Sequence, residues 1–324
     1  LTSIILPNSV TRIGIASFNR CFALASFTIP NSVTDIGQLA FYDCREMLTF
    51  SFEAGSTLRI IGSGLLSRCR RLTSITIPNS LSQVGEGMFS ECTRLTSVLF
   101  EPGNTLKIIG WGAFSGCTSL ASISIPNTMT SIYGDAFWGC TGLSTVLFDD
   151  VSTLTSIESQ TFQSCTSLTS ITIPNSVTTI GSAVFNGCVL MKSVTFKATS
   201  VLASIDSTSF YNCSSLSSIT IPNTVTSIGV SAFYGCVLMK SVTFQATSIL
   251  VSIGNTSFYN CYSLSSIIIP ISVTSIGSNA FYSDATNSTL TKNRIGDQQN
   301  TVVNINSFSD VSSISGSSIS FYNT

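Results

Sequence analysis

The sequence of 324 residues contains no histidine. This absence excludes catalytic arrangements in which an imidazole accepts the proton, such as Ser-His-Asp and Cys-His, and it removes the commonest metal ligand. The carboxylates are scattered along the chain, and their only adjacent pair, Asp149 and Asp150, lies in a predicted loop. We therefore predict a protein that is not an enzyme and that holds no metal ion or cofactor.

Charged residues of either sign are scarce: they make up 9% of the chain, compared with roughly 25% of an ordinary globular domain. The formal net charge of -1 excludes the strongly basic surface that binding of nucleic acid normally requires. Between Ser207 and Ser283 the only charged residue is Lys240, which predicts a nearly neutral surface there. No apolar run approaches the roughly 18 residues of a membrane-spanning helix, so we predict no membrane-spanning segment in this chain.

What the sequence does contain is a regular repeat. Six prolines recur at one constant interval, namely Pro30, Pro78, Pro126, Pro174, Pro222 and Pro270. After the first pair, the intervals between cysteines alternate between 25 and 23 residues, at Cys21, Cys44, Cys69, Cys92, Cys117, Cys140, Cys165, Cys188, Cys213, Cys236 and Cys261. Such regularity indicates a structural period rather than a disulfide framework. The repeating unit is therefore a short turn, which spans the smaller interval, followed by a long turn, which spans the larger one.

Each turn is predicted to contain one strand and one tight corner. In the turn that begins at Leu168, Ile171 and Ile173 alternate with polar residues, which predicts a strand. Pro174 ends this strand because proline cannot donate a ladder hydrogen bond. A glycine follows in nine of the twelve turns; it marks a corner where a side chain would be crowded and where a left-handed backbone is favoured. The residues between this corner and the cysteine are predicted to form one or two helical or 3₁₀ turns.

No single turn can bury its own apolar face, so the twelve turns must stack and share a continuous core. We predict a repeat solenoid over residues 1–284, with a parallel β-sheet on one face, short helical or 3₁₀ segments and turns on the other, and no large helices. The period is lost after residue 284. We interpret residues 285–324, which are rich in Ser, Asn and Thr, as a degenerate cap followed by a flexible tail.

The repeat resembles that of a known family. The segment Leu168-Thr-Ser-Ile-Thr-Ile-Pro-Asn-Ser-Val-Thr-Thr-Ile-Gly181, followed by Phe185-Asn-Gly-Cys188, is similar to the repeat of the BspA-like, Treponema-type leucine-rich-repeat family. The resemblance extends over about residues 1–284. It implies a leucine-rich-repeat solenoid, often at the surface of bacteria and of mucosal or free-living protists, with adhesion or host-protein binding proposed for several members. The long turns lack the family's strand-ending proline, so their loops are expected to depart from its usual shape.

The cysteines of successive turns are predicted to stack in register as a ladder of buried, reduced thiols. Their side chains would run parallel rather than converge on one another, which disfavours disulfides between neighbouring turns. The Cys-x-x-Cys spacing of zinc and redox sites is absent. Disulfides or a bound metal remain the alternatives. The structural positions of this ladder include Cys92, Cys117, Cys140, Cys165, Cys188 and Cys213.

The outward face of the predicted sheet carries two columns of hydroxyl side chains. One column has Ser or Thr in every turn, and the second, two residues further on, includes Thr172, Thr195, Thr220 and Thr243. Apolar residues interrupt the second column, namely Ile5, Leu99, Leu147 and Ile268. The columns predict a regular, nearly uncharged surface for a glycan or a protein. The alternative is a strand face that is merely solvated, which Ser and Thr also suit.

Aromatic residues form a second candidate site. Four consecutive turns have tyrosine two residues before the cysteine position, and we name this set the tyrosine column: Tyr211, Tyr234, Tyr259 and Tyr282. Tyr42 and Trp138 occupy the same position in other turns. Since the adjacent phenylalanine is predicted to be core, these rings are expected to face solvent as a contact stripe for carbohydrate or protein. Recent duplication is the alternative explanation, because residues 187–196 are identical to residues 235–244.

These features predict a non-enzymatic protein- or glycan-binding surface, at the cell surface or secreted. The main alternative is an intracellular scaffold with the same fold, which the thiols favour because a reducing compartment would preserve them. The chain opens at Leu1 without a charged segment followed by an apolar one, so we expect it to be part of a longer protein. A signal peptide in that protein would favour the cell surface.

Overall fold

Each repeat folds into one turn of a parallel β-solenoid. In the computed structural model, which describes residues 2–282, 289–292 and 301–304, about twelve such turns follow one another. A typical turn carries a strand of four residues and, further on, a strand of two residues; the part of the chain that the structure describes contains no helix. Within that part, accordingly, no apolar helix of membrane-spanning length is found. Thr172 is exposed while Ile171 and Ile173 are buried, because successive side chains of a strand point to opposite faces.

The chain divides into two compact units, and the first unit is Leu1–Leu168. Its four-residue strands are β2 (Ser26–Ile29), β4 (Thr49–Phe52), β6 (Ser74–Ile77), β8 (Ser97–Phe100), β10 (Ser122–Ile125) and β12 (Thr145–Phe148). Its two-residue strands are β1 (Arg12–Ile13), β3 (Asp35–Ile36), β5 (Ile60–Ile61), β7 (Gln83–Val84), β9 (Ile108–Ile109), β11 (Ser131–Ile132) and β13 (Ser156–Ile157). The two-residue strands form two parallel ladders, β1-β3-β5 and β7-β9-β11-β13.

The second unit is Thr169–Thr324. Its four-residue strands are β14 (Ser170–Ile173), β16 (Ser193–Phe196), β18 (Ser218–Ile221), β20 (Ser241–Phe244), β22 (Ser266–Ile269), β24 (Thr289–Lys292) and β25 (Thr301–Asn304). Its two-residue strands form one parallel ladder and are β15 (Thr179–Ile180), β17 (Ser204–Ile205), β19 (Ser227–Ile228), β21 (Ser252–Ile253) and β23 (Ser275–Ile276). In the region predicted as a cap, β24 pairs parallel with β22, and β25 pairs antiparallel with β24. The predicted tail after residue 304 lies outside the described residues.

The four-residue strands pair in doublets, each of which joins a short turn to the long turn that follows it. All four residues are in register between β2 and β4, β6 and β8, β10 and β12, β14 and β16, and β18 and β20. Between doublets the pairing is weaker: β16 meets β18 at Ser193 and Ser218 alone, and β4 and β6 belong to separate sheets. The predicted parallel sheet therefore consists mainly of two-strand pieces, of which two are joined in the four-stranded sheet β14-β16-β18-β20.

The core of each unit contains a column of phenylalanine rings, to which most turns contribute one. In the first unit four rings stack with centroids 5.3 Å apart, those of Phe89, Phe114, Phe137 and Phe162. In the second unit five rings stack at 5.0–5.2 Å, those of Phe185, Phe210, Phe233, Phe258 and Phe281. Leu66 replaces the phenylalanine in one turn of the first unit and is fully buried. Each ring thus packs mainly on its counterparts in the adjacent turns, as a shared core requires.

The segment between the corner and the cysteine differs from the prediction, because it contains consecutive turns rather than helical or 3₁₀ turns. Its amides donate to the next turn of the solenoid: the amide of Phe41 donates to the carbonyl of Leu65 at 3.0 Å, and that of Phe233 to Ser257 at 2.7 Å. Residues within the segment also adopt a left-handed backbone, for example Ala16 with φ 52°. A right-handed helix cannot continue through such a residue.

The corner glycine is needed for space and not for a left-handed backbone. A Cβ atom at Gly37 would lie 2.5 Å from the amide nitrogen of Ile15 in the preceding turn, and one at Gly62 would overlap the backbone at Gln38. Neither glycine has a positive φ. The predicted crowding is therefore present, whereas the left-handed residues lie two positions after the corner and one before the cysteine.

Candidate functional site

The sheet face of the second unit presents its threonines as a regular array. Thr172 lies opposite Thr195, and Thr220 opposite Thr243, in strands that belong to one four-stranded sheet, β14-β16-β18-β20. All four side chains are exposed, and the outward positions of these four strands are Ser or Thr throughout. In the first unit the same column is interrupted by the exposed side chains of Leu99 and Leu147. The structure thus brings together the four threonines named from the sequence.

One end of this face opens into a groove between β20 and β22. The groove has a volume of about 400 Å³ and is lined by Thr243, Gln245, Ser266 and Ile268, among others. β20 and β22 belong to different sheets, so the groove follows one of the breaks between doublets. It adds a partly apolar floor beside the hydroxyl groups of Thr243 and Ser266.

The tyrosine column is a continuous stack of rings. Ring centroids of Tyr211 and Tyr234 are 4.7 Å apart, and those of Tyr234 and Tyr259 are 5.0 Å apart with planes within 2° of parallel. Tyr282 extends the stack at 5.0 Å. Each ring therefore covers the face of the next. The rings of Tyr211, Tyr234 and Tyr259 are about half-buried, and that of Tyr282 is exposed. What the column offers to a ligand is its ring edges and phenol hydroxyls rather than its aromatic faces.

A groove in the first unit was not identified from the sequence. It has a volume of about 620 Å³ and is open to solvent. Its lining combines the indoles of Trp111 and Trp138 with the carboxylates of Glu86 and Asp135 and with several Ser, Gln and Gly residues. The signal in the sequence is that both tryptophans of the chain fall in adjacent turns. We name this site the indole groove.

The predicted cysteine ladder is present. Ten of the eleven cysteines are buried, Cys21 is half-buried, and none of them, all being in the described part of the chain, forms a disulfide. Thiols donate to the phenylalanine carbonyl of the preceding turn, as from Cys117 to Phe89 and from Cys213 to Phe185, both at 3.1 Å. The same carbonyl also accepts the amide of the cysteine in its own turn, such as that of Cys92 on Phe89 at 3.0 Å.

Burial in apolar surroundings makes these thiols reluctant to ionise. It raises the pKa of Cys92, Cys140 and Cys261 to about 12, and it raises the pKa of Cys117, Cys213 and Cys236 well above the ordinary range. A nucleophilic or metal-binding cysteine needs a thiolate near neutral pH. These six thiols of the ladder are therefore structural. Among the described residues, no three side chains of metal-ligating type lie together.

Charged side chains of the first unit form ion pairs along one part of the solenoid. Glu91 accepts hydrogen bonds from Arg68 and Arg70, each at 3.0 Å, and Arg71 pairs with Glu46. Burial alone would raise the pKa of Glu91, but the bonds from Arg70 and Arg68 outweigh it and hold this pKa below its ordinary value. Each of these three arginines is thus paired with a protein carboxylate.

Comparison with known proteins points to one repeat family. The family model described as a BspA type leucine rich repeat region (6 copies) matches residues 1–105, 95–202 and 203–323. A leucine-rich repeat protein from Bacteroides ovatus is 28% identical, with a TM-score of 0.57 over 84% of this chain and 79% of that chain. The pneumococcal vaccine antigen PcpA is 18% identical, with a TM-score of 0.51 over 84% and 80% of the two chains, and shares the fold. No curated protein matches the sequence.

Proposed function

We propose, from the premise that the chain belongs to the BspA-type leucine-rich-repeat family, that this protein is a non-enzymatic binding protein displayed at the cell surface or secreted. Its ligand, a protein or a glycan, contacts the sheet face of the second unit. The observation that carries this proposal is the array of four exposed threonines on one four-stranded sheet, which form two in-register pairs, Thr172 with Thr195 and Thr220 with Thr243. No charged side chain lies at the outward positions of these strands.

Several features support binding rather than catalysis. The chain has no histidine, and burial raises the pKa of six ladder thiols, namely Cys92, Cys117, Cys140, Cys213, Cys236 and Cys261. A repeat scaffold presents an extended surface, and such surfaces are used mainly for recognition. The family resemblance supports a place at the cell surface, where uncharged hydroxyl groups would meet glycans or proteins.

The tyrosine column fits the same role through hydrogen bonds and ring edges. Because the faces of Tyr234 and Tyr259 are covered by neighbouring rings, a sugar ring cannot stack on them. The phenol hydroxyls remain suited to donate to or accept from a ligand. The stack also fixes these hydroxyls in a regular row, which lowers the entropy cost of ordering them in a complex.

The binding test compares variants on an array of glycans and of secreted and surface proteins. We expect the paired change Thr195→Val and Thr220→Val to reduce the bound signal at least about tenfold, because it removes two hydroxyls and keeps side-chain shape. Thr76→Val, on the sheet face of the first unit, is the matched control and should keep the signal. The double variant is judged on the array signals that Trp138→Ala, a change in the indole groove, leaves intact. If those signals persist in the double variant, the assignment of this face is contradicted.

Location is tested on intact source cells with an amine reagent that does not cross membranes. Lys192 and Lys240 are exposed, so both should be modified on unbroken cells, as detected by mass spectrometry of their peptides. Modification only after lysis would contradict surface display.

The second candidate is an intracellular scaffold, which one observation favours: eleven cysteines without a disulfide suit a reducing compartment. The labelling experiment separates the two functions, since a scaffold would be labelled only after lysis.

A further inference from the structure

The indole groove lies in the first unit, apart from the sheet face assigned above. Its volume of about 620 Å³ falls within the roughly 300–1,000 Å³ of known ligand sites. Trp111 is 48% exposed and Trp138 is 44% exposed. Two large apolar side chains in one groove are costly to leave in water, and burying them would favour binding of a ligand.

The groove is open because the position that carries the tyrosine column holds different residues here. In four consecutive turns this position is occupied by Ser90, Ser115, Trp138 and Gln163. Small or polar neighbours on both sides mean that no ring covers Trp138 as Tyr211 and Tyr259 cover Tyr234. The face of this indole is consequently available to a ligand.

Glycines shape the rest of the groove. Gly87 and Gly112 line it at the left-handed position of their turns, with φ of 55° and 56°, and they add no side chain. Gly134 allows Trp111 to lie where it does, since a Cβ atom there would overlap the six-membered part of the indole. The position of Trp111 therefore depends on a residue of the following turn.

Hydrogen-bonding groups surround the two indoles. In the described part of the chain, no hydrogen bond or ion pair engages the carboxylates of Glu86 and Asp135. Gln160 donates through Nε2 to Oε1 of Gln163 at 2.9 Å, which leaves the amide donors of Gln163 and the carbonyl oxygen of Gln160 for other partners. The groove thus offers acceptors and donors beside exposed aromatic faces.

We propose that the indole groove binds a carbohydrate chain built of neutral pyranose units. The C–H face of a pyranose packs on an indole, while its hydroxyls donate to carboxylates and accept from carboxamides. An anionic ligand would be repelled by Glu86 and Asp135. A quaternary ammonium ligand would match the negative charge of the groove. It has no acceptor for the carboxamide donors of Gln163, however, and two indoles in an open groove do not enclose it as an aromatic cage does.

Tryptophan fluorescence tests this proposal directly, because the only two tryptophans of the chain line the groove. The purified chain is titrated with maltohexaose, cellohexaose, laminarihexaose and mannohexaose, and with choline as the cationic probe. We expect a saturable change in emission with at least one oligosaccharide below about 10 mM. No saturable change with any of the four, or a change with choline alone, would overturn the proposal.

Variants then assign the binding to the groove, with isothermal titration calorimetry as a readout that does not need tryptophan. Trp138→Ala and Asp135→Asn are each expected to weaken binding at least about tenfold. Gly134→Ala should also weaken it by displacing Trp111, although it removes no group of the groove. Tyr262→Ala, at an exposed ring of the second unit, is the control and should bind like the parent chain.

Two further outcomes are decisive. Circular dichroism confirms that each variant is folded, and unchanged affinity in a folded Trp138→Ala variant would overturn the proposal. The sheet-face variant Thr195→Val with Thr220→Val should retain the oligosaccharide affinity. Retained oligosaccharide affinity, together with loss in that variant of the array signals that do not depend on Trp138, would separate the two sites, so either proposal can fail without the other.

Discussion

Residues 1–168 include 20 charged side chains and both tryptophans, whereas residues 169–282 include four charged side chains and no tryptophan. Behind these surfaces the cores are alike: phenylalanine rings of adjacent turns stack at 4.9–5.3 Å in the first unit and at 5.0–5.2 Å in the second. Thiols donate to phenylalanine carbonyls in both. Inward positions therefore specify the turn, while outward positions vary and give each unit its own surface chemistry.

The strongest test of this likeness removes one core ring from each unit. Phe137 and Phe233 are both fully buried and stacked on two neighbours. We expect Phe137→Ala and Phe233→Ala to lower the free energy of unfolding by a similar amount, about 3–5 kcal/mol each. Urea unfolding measures the total, and hydrogen exchange shows which unit loosens. A difference above about 2 kcal/mol between the variants would mean that the cores are not equivalent.

Alkaline pH should weaken both units through their thiols. In the folded chain the pKa of Cys140 and of Cys261 is about 12, above the roughly 8.5 of an unfolded thiol. The folded state therefore keeps these thiols protonated to higher pH than the unfolded state does. The contribution of each thiol to the free energy of unfolding is complete below about pH 8.5 and is lost as pH rises toward 12. The loss is about 1.4 kcal/mol per pH unit for each such thiol.

The measurement is urea unfolding at a series of pH values between about 8 and 10.5. Cys140→Ala in the first unit and Cys261→Ala in the second each remove one buried thiol. Each variant should therefore lose that thiol's contribution to the slope of unfolding free energy against pH, about 1.4 kcal/mol per pH unit. A stability that is constant over this range would contradict the buried, protonated state of the ladder.

The aromatic position two residues before the cysteine should matter more for stability in the second unit. Tyr234 stacks on two rings, at 4.7 and 5.0 Å, so Tyr234→Ala should cost about 1–3 kcal/mol. Among the described residues no ring stacks on Trp138, so Trp138→Ala should cost less than about 1 kcal/mol. Melting temperatures compare the two, and Tyr234→Phe, which keeps the stack, is the control. Equal shifts in melting temperature for both alanine variants would contradict the view that Tyr234 in the tyrosine column stabilises the fold more than Trp138 in the indole groove does.

The smallest effect concerns the exposed ion pairs of the first unit. Glu91→Gln removes the charge that Arg68 and Arg70 share. We expect a loss of about 0.5–1 kcal/mol at low ionic strength that disappears in about 1 M NaCl, because exposed pairs are screened by salt. A loss that survives in high salt would show that Glu91 acts through packing instead.

Much of the fold could be predicted from the sequence because the same pattern recurs twelve times. The strand at Ser170–Ile173, the burial of Cys117 and the crowding at Gly37 each follow from residue type and period. The turn conformations could not be predicted, since their amides bond to the next turn, and the left-handed positions are held by residues such as Ala16 and Arg20 as well as by glycine. A single repeat carries no signal that distinguishes this arrangement from a short helix.

For a related reason, the threonine array and the tyrosine column could be predicted from the sequence, whereas the indole groove could not. Threonines and tyrosines that occupy one repeat position come together whenever turns stack, so Thr195 and Tyr234 could be named from spacing alone. Trp111 and Trp138 occupy different positions in their turns, and only the path of the chain through the corner places them in one groove. The stacking of the tyrosine rings on one another depends on the distance between adjacent turns, which cannot be predicted from residue type.

Doublet pairing of the strands also constrains how such a chain is inherited. The complete ladders, such as that between β14 and β16, lie inside a doublet, so copying the coding sequence of a whole doublet carries both partners along. Copying one turn would separate them. Residues 187–196 and 235–244 are identical and lie one doublet apart, as expected if the gene lengthens by whole doublets. Recombination between copies can thus lengthen the solenoid while each four-residue strand keeps its in-register partner.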